Sequence, residues 1–252
     1  MAVERLRPTP SDDEQALRED LAAAFRLAVH FGWHESVGNH FSATLSDDGR
    51  HFLLNPRWQH FSTVRASDLL ALHVDDEAVM QSENAPDPSA WCIHGAVHAH
   101  APGARVLLHC HPPYATALCT LTDPTLLPID QNTARFYNRC AIDLGFSGIA
   151  DDAAEGRRIA NAFGNHRVML MGNHGVSVCG ETVAEAFETL YYLERAAQTF
   201  MLALGTGQPL NVMSAEVAEQ TAAGWEAYKG MGDAHFAHLK AQLDATDSGY
   251  RD

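Results

Sequence analysis

Lysine is nearly missing from this chain. Among 252 residues only Lys229 and Lys240 occur, both in a polar stretch toward the C-terminus. Schiff-base catalysis needs an amine desolvated in a pocket, so that route is set aside. Positive charge is scarce altogether: 17 basic against 32 acidic residues leave a net charge of −15. A field of that sign repels polyphosphates and anionic bilayers, so neither nucleic acid nor a membrane surface is an expected partner. No run reaches the roughly 20 apolar residues that a bilayer span requires, and the opening MAVERLRPTPSDDEQ has no apolar signal core, so neither insertion nor export is expected. Cys92, Cys110, Cys119, Cys140 and Cys179 are odd in number and irregularly spaced, which speaks against a disulfide framework and for a reducing cytoplasm. Low-complexity tracts, long repeats and Pro/Gly/Ser linkers are missing too. Serine-hydrolase chemistry lacks its G-x-S-x-G, because Ser147 in Gly145-Phe146-Ser147-Gly148 has the wrong glycine spacing, and a lone Gly205-Thr206-Gly207 is no dinucleotide fingerprint.

What remains is an ordinary globular composition, 46% hydrophobic and 19% charged, long enough for a sizeable core. Ser11 and Glu14 form a capping-box pattern, and Leu17, Leu21, Phe25 and Ala28 then share one helical face, which predicts a helix over residues 12–31. Phe41–Leu45, His51–Leu54 and Leu70–Val74, separated by turn residues, predict a meander of strands. A helix over 89–100, stopped by Pro102-Gly103, is followed by a strand at Ala104–Cys110 and a helix at Tyr114–Leu121. A helix over 151–164, strands at Arg167–Met171 and Val176–Cys179, a long helix opened by Thr182 and Glu185 and running to about Leu204, and a last helical region from Ser214 complete the pattern. Helices interleaved with short strands and no linker predict one α/β domain with C-terminal helices.

The chemistry concentrates in His109-Cys110-His111. On a strand, positions i and i+2 project together, so two imidazoles share a face while Cys110 points away as a packing thiol. Asn173-His174-Gly175 offers a third imidazole from a turn between predicted strands. Three neutral imidazoles with an open position suit a catalytic divalent cation, zinc first, with manganese, iron or cobalt also compatible. In a chain with 15 histidines an i, i+2 pair also arises by accident, and the residues alone leave both readings open.

The segment PGARVLLHCHPPYATAL resembles the stretch around the paired metal histidines of the class II aldolase/adducin head-domain family, and MGNHGVSVCGETVAEAF resembles that family's second signature. GNHFSATL, LLNPRWQHFSTVRASDLLALHVD and SAWCIHGAVHAHAPGARV are similar to its upstream segments in the same order. The resemblance covers about residues 15–205 of a domain taken as 1–252, with a helical extension over about 206–252. It implies a three-layer α/β/α fold with a largely antiparallel central sheet, a metal held by His109, His111 and His174, and a homotetramer acting on a small molecule. Sugar-phosphate members of the family use the cation to stabilise an oxyanion during C–C cleavage, a role open to a Lewis acid without any lysine.

The departures redirect the substrate. The aldolases place an acid/base glutamate four residues before the helix histidine, here His94, and that position is Ala90. Their loop tyrosine is replaced by Pro128-Ile129-Asp130-Gln131-Asn132, with Tyr137 nearby as a substitute. The phosphate loop reads Asn55-Pro56-Arg57-Trp58, with an indole at the glycine position and a guanidinium suited to a planar carboxylate. His40 and His60 lie in segments closer to the adducin-like bacterial branch. The expectation is therefore a metal-dependent lyase, decarboxylase before aldolase, acting through a metal-stabilised enolate of a hydroxy- or keto-carboxylate. His40 and Tyr137 are its catalytic candidates, and Asn39, Arg57, His60 and Gln131 its substrate contacts. An adducin-like binding module and an iron-dependent oxygenase on the same triad are the alternatives. Among the other polar residues, His94 is expected to hydrogen-bond near the site, Glu181, Glu185 and Glu194 to be structural, and His235 and His238 to be solvated.

Overall fold

In this computed structural model residues 10–82, 84–101, 103–145, 148 and 153–252 are described. Pro102, Ser147 and the first two positions of the helix expected over 151–164 lie outside them. Seven strands form the centre: β1 His40–Thr44, β2 His51–Leu54, β3 Leu70–His73, β4 Val106–Cys110, β5 Cys140–Asp143, β6 Val168–Met171 and β7 Gly175–Gly180. They lie in the order β3-β2-β1-β4-β7-β6-β5. All pair antiparallel except β5 with β6, so the sheet is largely antiparallel, as the family resemblance implies.

Among the described residues eight α-helices accompany them: α1 Asp12–His30, α2 Pro88–His100, α3 Pro113–Cys119, α4 Gln131–Ala134, α5 Ala153–Phe163, α6 Val183–Leu204, α7 Ala215–Ala227 and α8 Met231–Thr246. Strand alternation sorts the residues of β4. Val106, Leu108 and Cys110 enter the larger apolar cluster with Phe25 of α1 and Phe187 of α6, whereas Leu107 packs with Ile93 of α2 and Ile159 of α5. The sheet thus carries a helical layer on each face, and Cys110 is the buried packing thiol that alternation predicts. On the α1 face Phe25 stacks on Phe41 at 4.9 Å and meets Phe61 edge-on at 4.5 Å.

Caps fall where the chemistry demands them. The Ser11 hydroxyl accepts from Glu14 N–H at 3.2 Å, Asp87 accepts from Ser89 N–H at 2.9 Å to open α2, and Thr182 accepts from Glu185 N–H at 3.1 Å to open α6. The start of α3 lacks such a residue because Pro112 precedes it, and the carboxylate of Glu194 on α6 takes over. It accepts from Tyr114 N–H at 2.9 Å and Ala115 N–H at 2.8 Å. Glu194 is therefore structural, and Glu185 is both held by Thr182 at the start of α6 and paired with Arg167 at 2.9 Å. The expectation for His235 is corrected. It is half-buried, its Nδ1 2.6 Å from the buried Glu188, because α8 lies along α6, while His238 is exposed.

At Gly49 the β1–β2 turn has φ +68°, and a Cβ there would stand 2.0 Å from the carbonyl oxygen of His98. The turn thereby locks the end of α2 against the sheet. Truncating the central aromatic, Phe25→Ala, is expected to cost about 3–5 kcal/mol. The urea midpoint should fall with the slope of the transition unchanged.

Candidate metal centre

The register of the sheet lines up polar residues across an apolar layer. His40 on β1 pairs with His109 on β4, which pairs with Ser177 on β7, so the three side chains lie in one row. His111 follows the end of β4, and His174 comes from the β6–β7 turn. That turn holds Asn173 at φ +56°, a left-handed conformation that asparagine tolerates. The rings of His109 and His111 are 5.1 Å apart, those of His109 and His174 4.8 Å, and those of His111 and His174 5.0 Å. One nitrogen from each lies within 4.8 Å of the others. Gly175 makes this possible, since a Cβ there would sit 2.4 Å from Cδ2 of His111.

The rings are oriented for ligation. His111 donates from Nδ1 to the carboxylate of Glu35, which leaves Nε2 as a lone-pair donor. That Nε2 is buried and has no hydrogen-bond partner among the described residues, an orphan that a cation would satisfy. The Ser177 hydroxyl lies 3.5 Å from Met171 Sδ and can donate to it. His109 Nδ1, 3.2 Å from the same oxygen, then donates, and its Nε2 is presented as well. Burial, reinforced by repulsion from the neighbouring imidazoles, holds His109 well below the usual histidine range and His174 to about 4. His109 and His174 are therefore neutral imidazoles, the form that binds zinc and its neighbours.

Glu35 was not legible as a site residue. It sits in the loop after α1, where its backbone N–H donates to Asn39 Oδ1 at 2.6 Å. Asn39 is buried, and its side-chain NH₂ has no partner among the described residues. His40 stacks on His109 with centroids 4.8 Å apart. His40 thus comes together with the triad, and Asn39 is linked to it through Glu35.

The other four do not touch it. Arg57 lies over the ring of its neighbour Trp58 at 4.4 Å, and Trp58, at φ +62°, adopts the backbone conformation that glycine takes freely. His60 is committed to the α1 side: its Nδ1 accepts from Ser62 N–H at 3.1 Å, and its Nε2 is 3.0 Å from His34. Gln131 opens α4, and its carbonyl accepts from Trp225 of α7 at 3.2 Å. Tyr137 stands half-buried in the turn between α4 and β5. Ala90, at the position of the missing glutamate, is buried on α2.

Comparison with known proteins agrees with this architecture. Residues 19–201 match the family described as Class II Aldolase and Adducin N-terminal domain. A provisional aldolase class 2 protein of Caulobacter vibrioides is 30% identical over 250 residues, which span 98% of this chain and 96% of that one. Human β-adducin is 28% identical over 196 residues, 77% of this chain and 27% of the adducin. The crystal structure of an aldolase II superfamily protein from Pseudomonas syringae superposes with a TM-score of 0.86 at 29% identity, covering 96% of this chain and 98% of that one. An L-fuculose 1-phosphate aldolase from Glaciozyma antarctica shares the fold, with a TM-score of 0.78 at 21% identity and coverage of 98% and 97%. The chain belongs to the class II aldolase and adducin family.

Two further histidines on α2 are buried and kept neutral: His94 is held well below the usual range and His98 at about 4, burial being the main cause for both. In the unfolded chain each titrates near 6.5, so below that pH the unfolded state binds more protons than the folded one. Stability should be level above pH 6.5 and fall as pH drops toward 4, by up to about 1.4 kcal/mol per pH unit for each such ring. Thermal midpoints across that range should show this slope, and His98→Gln should flatten it.

Proposed function

We propose that this protein is a divalent-metal-dependent lyase that cleaves a C–C bond of a small hydroxy- or keto-carboxylate, with decarboxylation preferred to aldol cleavage. The observation that carries the proposal is the cluster of three imidazoles whose nitrogens lie within 4.8 Å of one another, with the buried Nε2 of His111 lacking a hydrogen-bond partner among the described residues. His109, His111 and His174 would hold the ion, and Glu35 would fix the His111 ring. A divalent cation bound there would supply Lewis-acid stabilisation of negative charge developing on a substrate oxygen.

The remaining roles belong to the chain's own groups. The unpaired amide of Asn39 is a buried donor that can hold a substrate oxygen. His40, against the triad, orients the substrate and exchanges a proton with it. Arg57 is free to swing from the Trp58 ring to a carboxylate, and His60, Gln131 and Tyr137 are assigned secondary contacts in the assembled protein. Ala90 supports decarboxylation over aldol cleavage, because loss of carbon dioxide needs no base to strip a substrate hydroxyl. We take the whole chain as one domain working as a homotetramer in the cytoplasm. No helix among the described residues is long and apolar enough to cross a membrane.

Metal analysis of the purified protein should find about one divalent ion per chain. His109→Ala should abolish it, and Glu35→Ala should weaken binding about 10–100-fold. An adducin-like scaffold would hold no metal, and its circular dichroism and oligomeric state would be indifferent to His109→Ala. A screen of hydroxy- and keto-acids for carbon dioxide or aldehyde release should find a turned-over substrate in the metal-loaded wild type and none in His109→Ala. Silence across both classes would reject the lyase.

A further inference from the structure

Behind the triad, between α2 and β1, a chain of buried hydrogen bonds has only one consistent arrangement of protons. His98 Nδ1 lies 2.6 Å from the carbonyl oxygen of Ala104. A carbonyl only accepts, so Nδ1 carries the proton. Burial keeps His98 neutral, and Nε2 therefore bears a lone pair. That nitrogen is 2.6 Å from Ser42 Oγ, so the single hydroxyl proton of Ser42 points at His98. The contact between Ser42 Oγ and His94 Nδ1 must then run the other way, with the imidazole donating. His94 is fully buried and neutral for the same reason, which leaves its Nε2 bare. His40 Nδ1, 2.7 Å away, is the donor to it.

One backbone carbonyl thus dictates the tautomer of three successive rings. The last of them, His40, stacks on His109 with an interplanar angle of 24°. Among the described residues no other side-chain hydrogen bond to the His40 ring is seen, and with the proton on Nδ1 its Nε2 carries a lone pair on a ring stacked against His109. Ser42 is completely buried and His98 nearly so, which keeps water from offering the chain an alternative donor.

We propose that Ser42, His94 and His98 are positioning residues that lock His40 with its proton on Nδ1, so that Nε2 accepts a hydrogen bond from a substrate hydroxyl and the site prefers acids with a hydroxyl beside the carboxylate to those with a keto oxygen there, a carbonyl elsewhere in the acid being left to take the electron pair when the C–C bond breaks. A keto oxygen and a bare imidazole nitrogen both lack a proton and repel, whereas a hydroxyl donates. This inference rests on the reading of the site as one for small acids, but its test does not depend on turnover.

Two-bond proton–nitrogen correlation spectra of protein labelled with ¹⁵N-histidine report the tautomer of each ring. In the wild type His40 should show a protonated Nδ1 and a bare Nε2. In Ser42→Ala, where the chain is cut, His94 and His40 should each become a mixture of tautomers. A protonated Nε2 in the wild type overturns the lock, even if the variant fails to fold, and so does a His40 pattern unchanged in a folded Ser42→Ala. Calorimetric titration of the zinc-loaded protein with lactate and with pyruvate tests the substrate class. Lactate should bind at least about tenfold more tightly in the wild type, since a site that hydrogen-bonds a hydroxyl rejects the analogue lacking it, and the preference should shrink in Ser42→Ala. Equal binding, tighter pyruvate binding or no lactate binding overturns the assignment. A protein with a single His40 tautomer and a lactate preference that releases neither carbon dioxide nor aldehyde refutes the lyase while upholding this inference. Mixed tautomers in an active lyase do the reverse.

Discussion

Burial of imidazole in an otherwise apolar layer is the constraint on which the structure turns. Removing a histidine from water disfavours its charged form, and a neutral ring must be a donor at one nitrogen and an acceptor at the other. Every buried histidine around the triad obeys that rule. His98 answers to a backbone carbonyl, His94 to a serine, His40 to His94, and His109 to Ser177. The same desolvation that depresses proton affinity leaves lone pairs available where an ion can use them. Fold and chemistry therefore share one cause. The sheet supplies a dry surface, and the dry surface keeps the buried rings as lone-pair donors instead of cations.

The departures from the sugar aldolases follow from the same geometry. With alanine at position 90, no anion is buried on α2 beside the rings. An anion there would demand a partner, because an unpaired buried charge is costly. The chain instead uses a wholly neutral network, which imposes no such demand. Trp58 adopts a backbone conformation that glycine takes freely, with its indole exposed and Arg57 over the ring.

Much of this could be read from residues alone. The i, i+2 spacing in His109-Cys110-His111 places both rings on one side of β4, and the capping patterns at Ser11 and Thr182 mark helices that form there. What escaped depends on tertiary contact. β5 is only four residues long, with Ile142 exposed, and shows no alternation that would announce it; it exists because β6 offers a parallel partner. The four-residue α4 is too short for a helical period to emerge. Glu35 reaches His111 across 76 positions, and no local pattern could forecast that pairing. The burial of His94 and His98 is hinted at by their i, i+4 spacing, but their coupling to Ser42 requires β1 to lie against α2.

The outermost strands carry a consequence of their own. β3 and β5 border the sheet, and each has four residues, fewer than a strand needs to recruit another edge securely. Continuation of the sheet from one molecule to the next is thereby discouraged at both borders. Short borders of this kind favour contact between copies through helices and loops over growth of the sheet from one molecule to the next.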